Sequence, residues 1–331
     1  MARAPAEIVL DGILRVAFPL RAQAPPATFA AEQVTGGLQI TAPDGSRLLC
    51  SAGPGAVPLP PAGAGPYDIA LLDLLGDPAQ LGALRRQGLV TDTTSVAAIH
   101  VDHRLPSARE LARRCGFWQV IAAADGTRIR THPGQPRDLR RRSDVAPSVP
   151  RPWRTLVLGG ARSGKSAEAE LRLAAEPEVT YVAAAGPAVA DDADWRARLA
   201  AHQDRRPRWW QTVETTDVAG VLRASTGAVL IDSVGTWLAA VLDEVGAWRH
   251  PAGDPVVTNR LAARISELAR AWRDTRSCVV AVSEETGSGV VPAAASGRVF
   301  RDQLGSLNQL LAAQSEEAVL VVAGRALSLP G

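Results

Sequence analysis

The sequence predicts an α/β chain in two parts: a mostly parallel sheet covered by helices on both faces over residues 154–331, preceded by a smaller α/β domain. Three observations carry that prediction. Short apolar runs of strand length alternate with helix-length amphipathic segments through the second half. A glycine-rich turn stands between the first of those strands and the first of those helices. Residues 132–153, rich in proline and arginine and without apolar periodicity, divide the two halves as an extended linker.

In the first domain, residues 1–131, strands are expected at 67–72 and 96–101 and helices at 81–87 and after Ser107. Ser107 and Glu110 have capping-box spacing. Residues 51–66, dense in proline and glycine, form a surface loop, and no repeat of fixed period is present. In the second domain, strands are expected at 155–158, 179–183, 228–231, 277–283 and 318–323, with a closing edge segment at 326–329. Helices are expected at 166–175, 193–202, 235–245, 259–273 and 301–314.

Composition narrows the function classes. A chain of 331 residues can bury two cores. With 36 Lys+Arg against 34 Asp+Glu there is no polyanion-binding field, which disfavours nucleic acid as a partner. The Arg140–Arg142 run belongs to the solvated linker. The three cysteines, Cys50, Cys115 and Cys278, match no zinc spacing and suit reduced, mostly buried thiols. The N-terminus has no basic segment leading into an apolar one, and no apolar run reaches membrane length. A cytoplasmic protein without a membrane span is expected.

Of the 36 basic residues, Lys165 is the only lysine. Where arginine has replaced every generic positive charge, the surviving lysine marks a place that needs a compact ammonium on a flexible stem. It lies in Gly159-Gly160-Ala161-Arg162-Ser163-Gly164-Lys165-Ser166, the G-x-x-x-x-G-K-S phosphate loop. Glycines let backbone N–H groups curl around phosphates, and the helix N-terminus adds a positive end. Lys165 reaches the β- and γ-phosphates, and the Ser166 hydroxyl ligates Mg²⁺. The acid such a loop needs is expected at a neighbouring strand tip: Asp232 fits, with Glu284 and Glu285 as competitors.

A second motif runs from His202 through Gln203, Asp204, Arg205, Arg206 and the Trp209–Trp210 pair to Glu214. Arginines around a histidine disfavour its protonated form and leave the imidazole nucleophilic while holding phosphate oxygens. A helix-terminal histidine interacting with the dipole is the plainer reading of His202 alone.

Together, the GGARSGKS loop after a Leu-Val-Leu strand and the H-x-D-x-R-P-x-x-W-x-T-x-E run resemble the adenosylcobinamide kinase/guanylyltransferase family. The 282–292 segment, and Phe300-Arg301-Asp302 followed by Asn308, are similar to that family's C-terminal signatures. The resemblance covers about residues 154–329 and implies a P-loop NTPase fold of the RecA-like kind. It implies phosphorylation of adenosylcobinamide with ATP or GTP, then guanylylation of adenosylcobinamide-phosphate through a histidyl-GMP at His202, with Mg²⁺. It also implies nucleotide contacts at residues 159–166, at Ala184, Ala185 and Gly186, at Gln203–Arg206, Glu214 and Asp232, and a homotrimer. The chain departs from the pattern in three places. Glu284 stands where the family usually has asparagine, Thr286 where it has valine, and Ala184 where it has a hydroxyl residue. The phosphate motif alone would also suit a small-molecule kinase without guanylyl transfer, or a nucleotide-binding regulatory switch.

Residues 7–130 resemble the C-terminal part of a metallo-β-lactamase-like domain, with His100 and His103 where a late metal histidine would fall. No H-x-H-x-D-H cluster precedes them, and two histidines with one carboxylate cannot complete such a metal site. A non-catalytic scaffold is expected.

Overall fold

The computed structural model describes residues 6–10, 14–18, 29–34, 37–43, 45–51, 65–123, 127–130, 154–184, 206–249 and 254–330. The expected helix at 193–202, the linker at 132–153 and most of the 51–66 loop lie outside them. By internal contacts the chain divides into Met1–Val149 with Ala174–Pro177, and Pro150–Leu173 with Glu178–Gly331.

The first unit holds two small sheets. In one, β1 (Ala6–Leu10) pairs antiparallel with β2 (Leu14–Phe18). In the other, β3 (Ala30–Val34), β4 (Gly37–Thr41) and β5 (Arg47–Ser51) form an antiparallel meander. That meander continues in parallel through β6 (Ile69–Leu72) and β7 (Ser95–Ala98). Helices α1 (Ala79–Arg86) and α2 (Ala108–Trp118) follow β6 and β7, and β8 (Arg128–Arg130) joins β2 in parallel. Leu48, Ile69, Leu71, Ala97 and Ile129 form the core. β7 is shorter than expected because the chain turns away at His100, which has φ 54°. The capping box is half made: the Ser107 hydroxyl accepts the Glu110 N–H at 3.2 Å, while the Glu110 carboxylate pairs with Arg113 and Arg114. Of the three thiols only Cys115 is buried, which pushes it up to about 12; Cys50 and Cys278 are half-buried.

The second unit is built on one seven-stranded sheet. Its strands are β9 (Arg154–Gly159), β10 (Val179–Ala183), β11 (Gln211–Glu214), β12 (Ala228–Asp232), β13 (Val279–Glu284), β14 (Glu317–Val322) and β15 (Arg325–Leu329). They are ordered β11-β10-β12-β13-β9-β14-β15, all parallel except the last. Helix α3 (Lys165–Leu173) covers one face; α4 (Val218–Ala224), α5 (Val234–Glu244), α6 (Pro255–Asp274) and α7 (Ala295–Ala312) supply the other. Period-two alternation drives this: Leu156 and Leu158 pack with the four helices, Val157 with Ala169 and Leu173 of α3. Side-chain caps set the helix starts. Asp217, Ser233 and Asp254 accept from Gly220, Thr236 and Val256 at 2.8, 3.1 and 2.7 Å. Buried Arg172 pairs with Glu168 on α3 and Glu317 on β14, fixing the helix to the sheet.

The parallel sheet with helices on both faces is as expected. β11 and α4 were not foreseen, nor were β1 to β5 and β8. β11, Gln-Thr-Val-Glu, is a largely exposed edge strand whose polar residues give no apolar signal.

Candidate nucleotide site

The strands β9, β12 and β13 end side by side, and their tips carry the site. Gly159 closes β9 between Glu284 of β13 and Val321 of β14. A Cβ there would stand 2.4 Å from the Ser163 hydroxyl and 2.8 Å from the Val321 carbonyl, so no other residue fits. The loop then curls through Arg162 at φ 55° and Gly164 at φ 97° into α3. The β14–β15 turn braces it: Gly324 N–H donates to the Ser163 carbonyl at 2.8 Å.

Lys165 and Ser166 open α3. The Lys165 ammonium lies 3.3 Å from the Gly160 carbonyl and 3.8 Å from Glu284 Oε1. Ser166 Oγ donates to Asp232 Oδ1 at the long distance of 3.5 Å, and Asp232 Oδ2 accepts from the Tyr181 hydroxyl at 2.9 Å. Burial, reinforced by Asp232, raises the Tyr181 phenol well above its ordinary value and keeps it a donor. Arg206 is buried and stacks 3.5 Å over the Tyr181 ring, so it supports Asp232 through Tyr181. Mg²⁺ demands near-octahedral oxygen coordination and keeps several waters. The Ser166 hydroxyl and Asp232 carboxylate are two hard oxygen donors beside the phosphate loop and would suit that ion. Among the described residues no three His, Cys, Asp or Glu side chains cluster as a protein-only metal site.

Of the competing acids, Glu284 is in the site and Glu285 is not. Glu285 Oε1 accepts the Gly287 N–H at 2.9 Å and shapes its own turn. Glu284 Oε2 accepts from the Ser233 hydroxyl at 3.3 Å, and its carbonyl accepts from Asn308 Nδ2 at 3.1 Å. Asn308 Oδ1 also receives the buried Ser283 hydroxyl at 2.6 Å, so one α7 side chain fixes the β13 tip. Burial raises the Glu284 carboxyl above its usual range, against the pull of Lys165. Ala184 is buried just past β10, and Glu214 ends β11 exposed, in register with Ala183. His202, Gln203, Asp204, Arg205, Ala185 and Gly186 lie outside the described residues. Sequence reasoning missed Tyr181, Gly235 and Gly324. Their signals were faint: a tyrosine in a buried strand, and single glycines at a helix start and in a hairpin turn.

The first unit also gathers acids at strand ends. Arg104 donates to Asp102 at 2.8 Å and to Asp73 at 3.3 and 3.4 Å, while His100 and His103 are exposed. The Arg104 hydrogen bonds hold the Asp102 carboxyl below its usual range.

A model of the family described as cobinamide kinase / cobinamide phosphate guanyltransferase matches residues 155–329. The bifunctional adenosylcobalamin biosynthesis protein CobP of Pseudomonas aeruginosa is 37% identical over 184 residues, 54% of this chain and 98% of that protein. The CobU proteins of Salmonella typhimurium and Escherichia coli are 34% and 35% identical over 179 residues, 51% of this chain and 95% of each relative. Among solved structures, a prototypical type III secretion ATPase from pathogenic bacteria overlays with TM-score 0.33 at 12% identity, over 53% of this chain and 56% of that one. The family match spans the β9–β15 sheet but for Arg154, phosphate loop included. The chain belongs to the cobinamide kinase / cobinamide phosphate guanyltransferase family.

Proposed function

We propose that this chain phosphorylates adenosylcobinamide and then guanylylates adenosylcobinamide-phosphate, in cobalamin biosynthesis. The observation that carries the reading is the phosphate loop with its lone lysine beside the Ser166–Asp232 pair, inside the family match. In the first step the loop N–H groups and Lys165 hold the nucleotide's β- and γ-phosphates in line with the cobinamide hydroxyl. Ser166 and Asp232 would hold Mg²⁺, which when bound would supply charge neutralisation for those phosphates. Tyr181 and Arg206 keep Asp232 oriented.

In the second step His202 attacks the α-phosphorus of GTP and pyrophosphate leaves. The cobinamide-phosphate oxygen then takes the guanylyl group from the imidazole. A covalent intermediate splits one hard displacement into two easier ones. Gln203, Asp204, Arg205 and Glu214 serve the guanine nucleotide in this reading, with Ala184, Ala185 and Gly186 along the nucleotide edge. The active form is a cytoplasmic homotrimer, and residues 1–131 are a non-catalytic scaffold.

The test incubates the full chain with GTP, Mg²⁺ and adenosylcobinamide and identifies products by mass spectrometry. Adenosyl-GDP-cobinamide, with an acid-labile, base-stable protein label from α-³²P-GTP, is the expected result. Phosphorylated cobinamide without label would reduce the reading to a kinase, and no turnover would leave a nucleotide-binding switch.

A further inference from the structure

Glu284 is an acid in the site outside the Ser166–Asp232 pair, beside the ammonium of the phosphate loop. The β13 register sets it beside Gly159, where the loop begins. Its carboxylate is 3.8 Å from the ammonium that meets the γ-phosphate, near enough to share the reaction zone and too far for a hydrogen bond that would saturate it. A third of its side-chain surface stays exposed, so a substrate group can reach it. The fold makes room for this group in particular: a Cβ on Gly235, in the first turn of α5, would fall 2.0 Å from Oε2. Both Asp232 oxygens accept, from Ser166 and Tyr181, whereas Glu284 takes the Ser233 hydroxyl on Oε2 and turns Oε1 toward Lys165; Glu285 is turned into its own loop.

We propose that Glu284 receives the cobinamide hydroxyl and accepts its proton during phosphoryl transfer, an inference that rests on the kinase reading above. The hydroxyl proton passes to a Glu284 carboxylate oxygen. The hydroxyl oxygen's lone pair forms the new bond to the γ-phosphorus. The bond from that phosphorus to the β–γ bridging oxygen breaks, and its electrons leave with the nucleoside diphosphate beside Lys165. The proton then returns to solvent from the exposed side of the carboxyl. The burial that raises the Glu284 carboxyl also makes it a better base. Asparagine at this position could orient a hydroxyl through its amide oxygen but could not take up its proton. Phosphoryl transfer depends mainly on positioning and charge, so a chain with asparagine still reacts.

The experiment measures steady-state phosphorylation of adenosylcobinamide by the full chain and by Glu284→Ala and Glu284→Gln. For Glu284→Ala, kcat is expected to fall by about 100-fold, with the nucleotide KM within about twofold and activity partly restored by added formate. Glu284→Gln, which keeps the shape and an acceptor oxygen, should fall by about tenfold and gain nothing from formate. A kcat for Glu284→Ala within about threefold of wild type overturns the proposal. So does a loss confined to the nucleotide KM, which would make Glu284 a tether for Lys165, or a loss that formate leaves untouched. Absence of wild-type turnover would instead overturn the kinase reading, and this proposal with it.

Discussion

Each unit of this chain places two carboxylates and one cation near strand ends, and the two arrangements differ in what they leave open. In the first unit Arg104 spends its guanidinium on Asp73, Asp102 and the His100 carbonyl. In the second unit Asp232 and Glu284 face Lys165 and Ser166, and the contacts are loose: 3.8 Å from ammonium to carboxylate and 3.5 Å from hydroxyl to carboxylate. A planar fork satisfied by the protein's own acids has little left for a ligand, whereas a point charge held at arm's length can move to a phosphate. Among the described residues, the difference separates an acid cluster closed by its own ion pairs from one left open beside the phosphate loop.

The largest effect expected is from His202→Ala, which asks whether the open acid pair supports phosphoryl transfer without the guanylyl step. Guanylyl transfer should drop by about 10⁴-fold or more, because only positioning and electrostatics remain once a covalent nucleophile is gone. Phosphorylation should continue, and adenosylcobinamide-phosphate should accumulate without GMP label on the protein. Formation of adenosyl-GDP-cobinamide at a comparable rate would remove His202 from the mechanism.

Lys165→Arg carries the first unit's cation into the second. A guanidinium beside Glu284 should close the site as Arg104 closes its own, lowering phosphoryl transfer by about 100-fold or more despite the conserved charge. Near-wild-type turnover by this variant would mean that the contrast between the two cations is irrelevant to function.

Gly235→Ala tests whether the room left for Glu284 matters. The added methyl must displace the Glu284 carboxylate from its place 2.0 Å away. The same change favours the helix by up to about 1 kcal/mol, so the fold should tolerate it. Phosphorylation should fall by roughly tenfold at an unchanged melting temperature, read by circular dichroism alongside kinetics. Equal loss in stability and activity would point to a packing fault instead.

The smallest effect on turnover should come from Arg104→Ala. It leaves the buried Asp73 carboxylate without its guanidinium partner and should lower the thermal stability of the first unit. Both activities should stay within about twofold of wild type, consistent with a scaffold role for that unit. A matching fall in activity would show that the first unit contributes to the chemistry.

The sequence by itself determined the phosphate loop with its strand and helix, and it marked Asp232 as a candidate acid at a strand tip, because each depends on local order. A G-x-x-x-x-G-K-S run between an apolar strand and a helix has a nearly forced conformation, and a lone lysine among 36 basic residues points to it. The parallel sheet was legible for the same reason: buried strands are continuous apolar runs. The first unit's meander was not, since residues 30–51 mix exposed and buried positions and their pairing partners are set by register across turns. Choosing between Glu284 and Glu285 was likewise beyond the sequence. The two acids are adjacent, and which one enters the site depends on β13 ending opposite Gly159, on Asn308 of α7 fixing that end, and on Gly235 of α5 leaving space. Those groups lie 24 to 125 residues from Glu284 along the chain and meet it only when the sheet assembles, so alternation of strand faces, not local propensity, decides the matter.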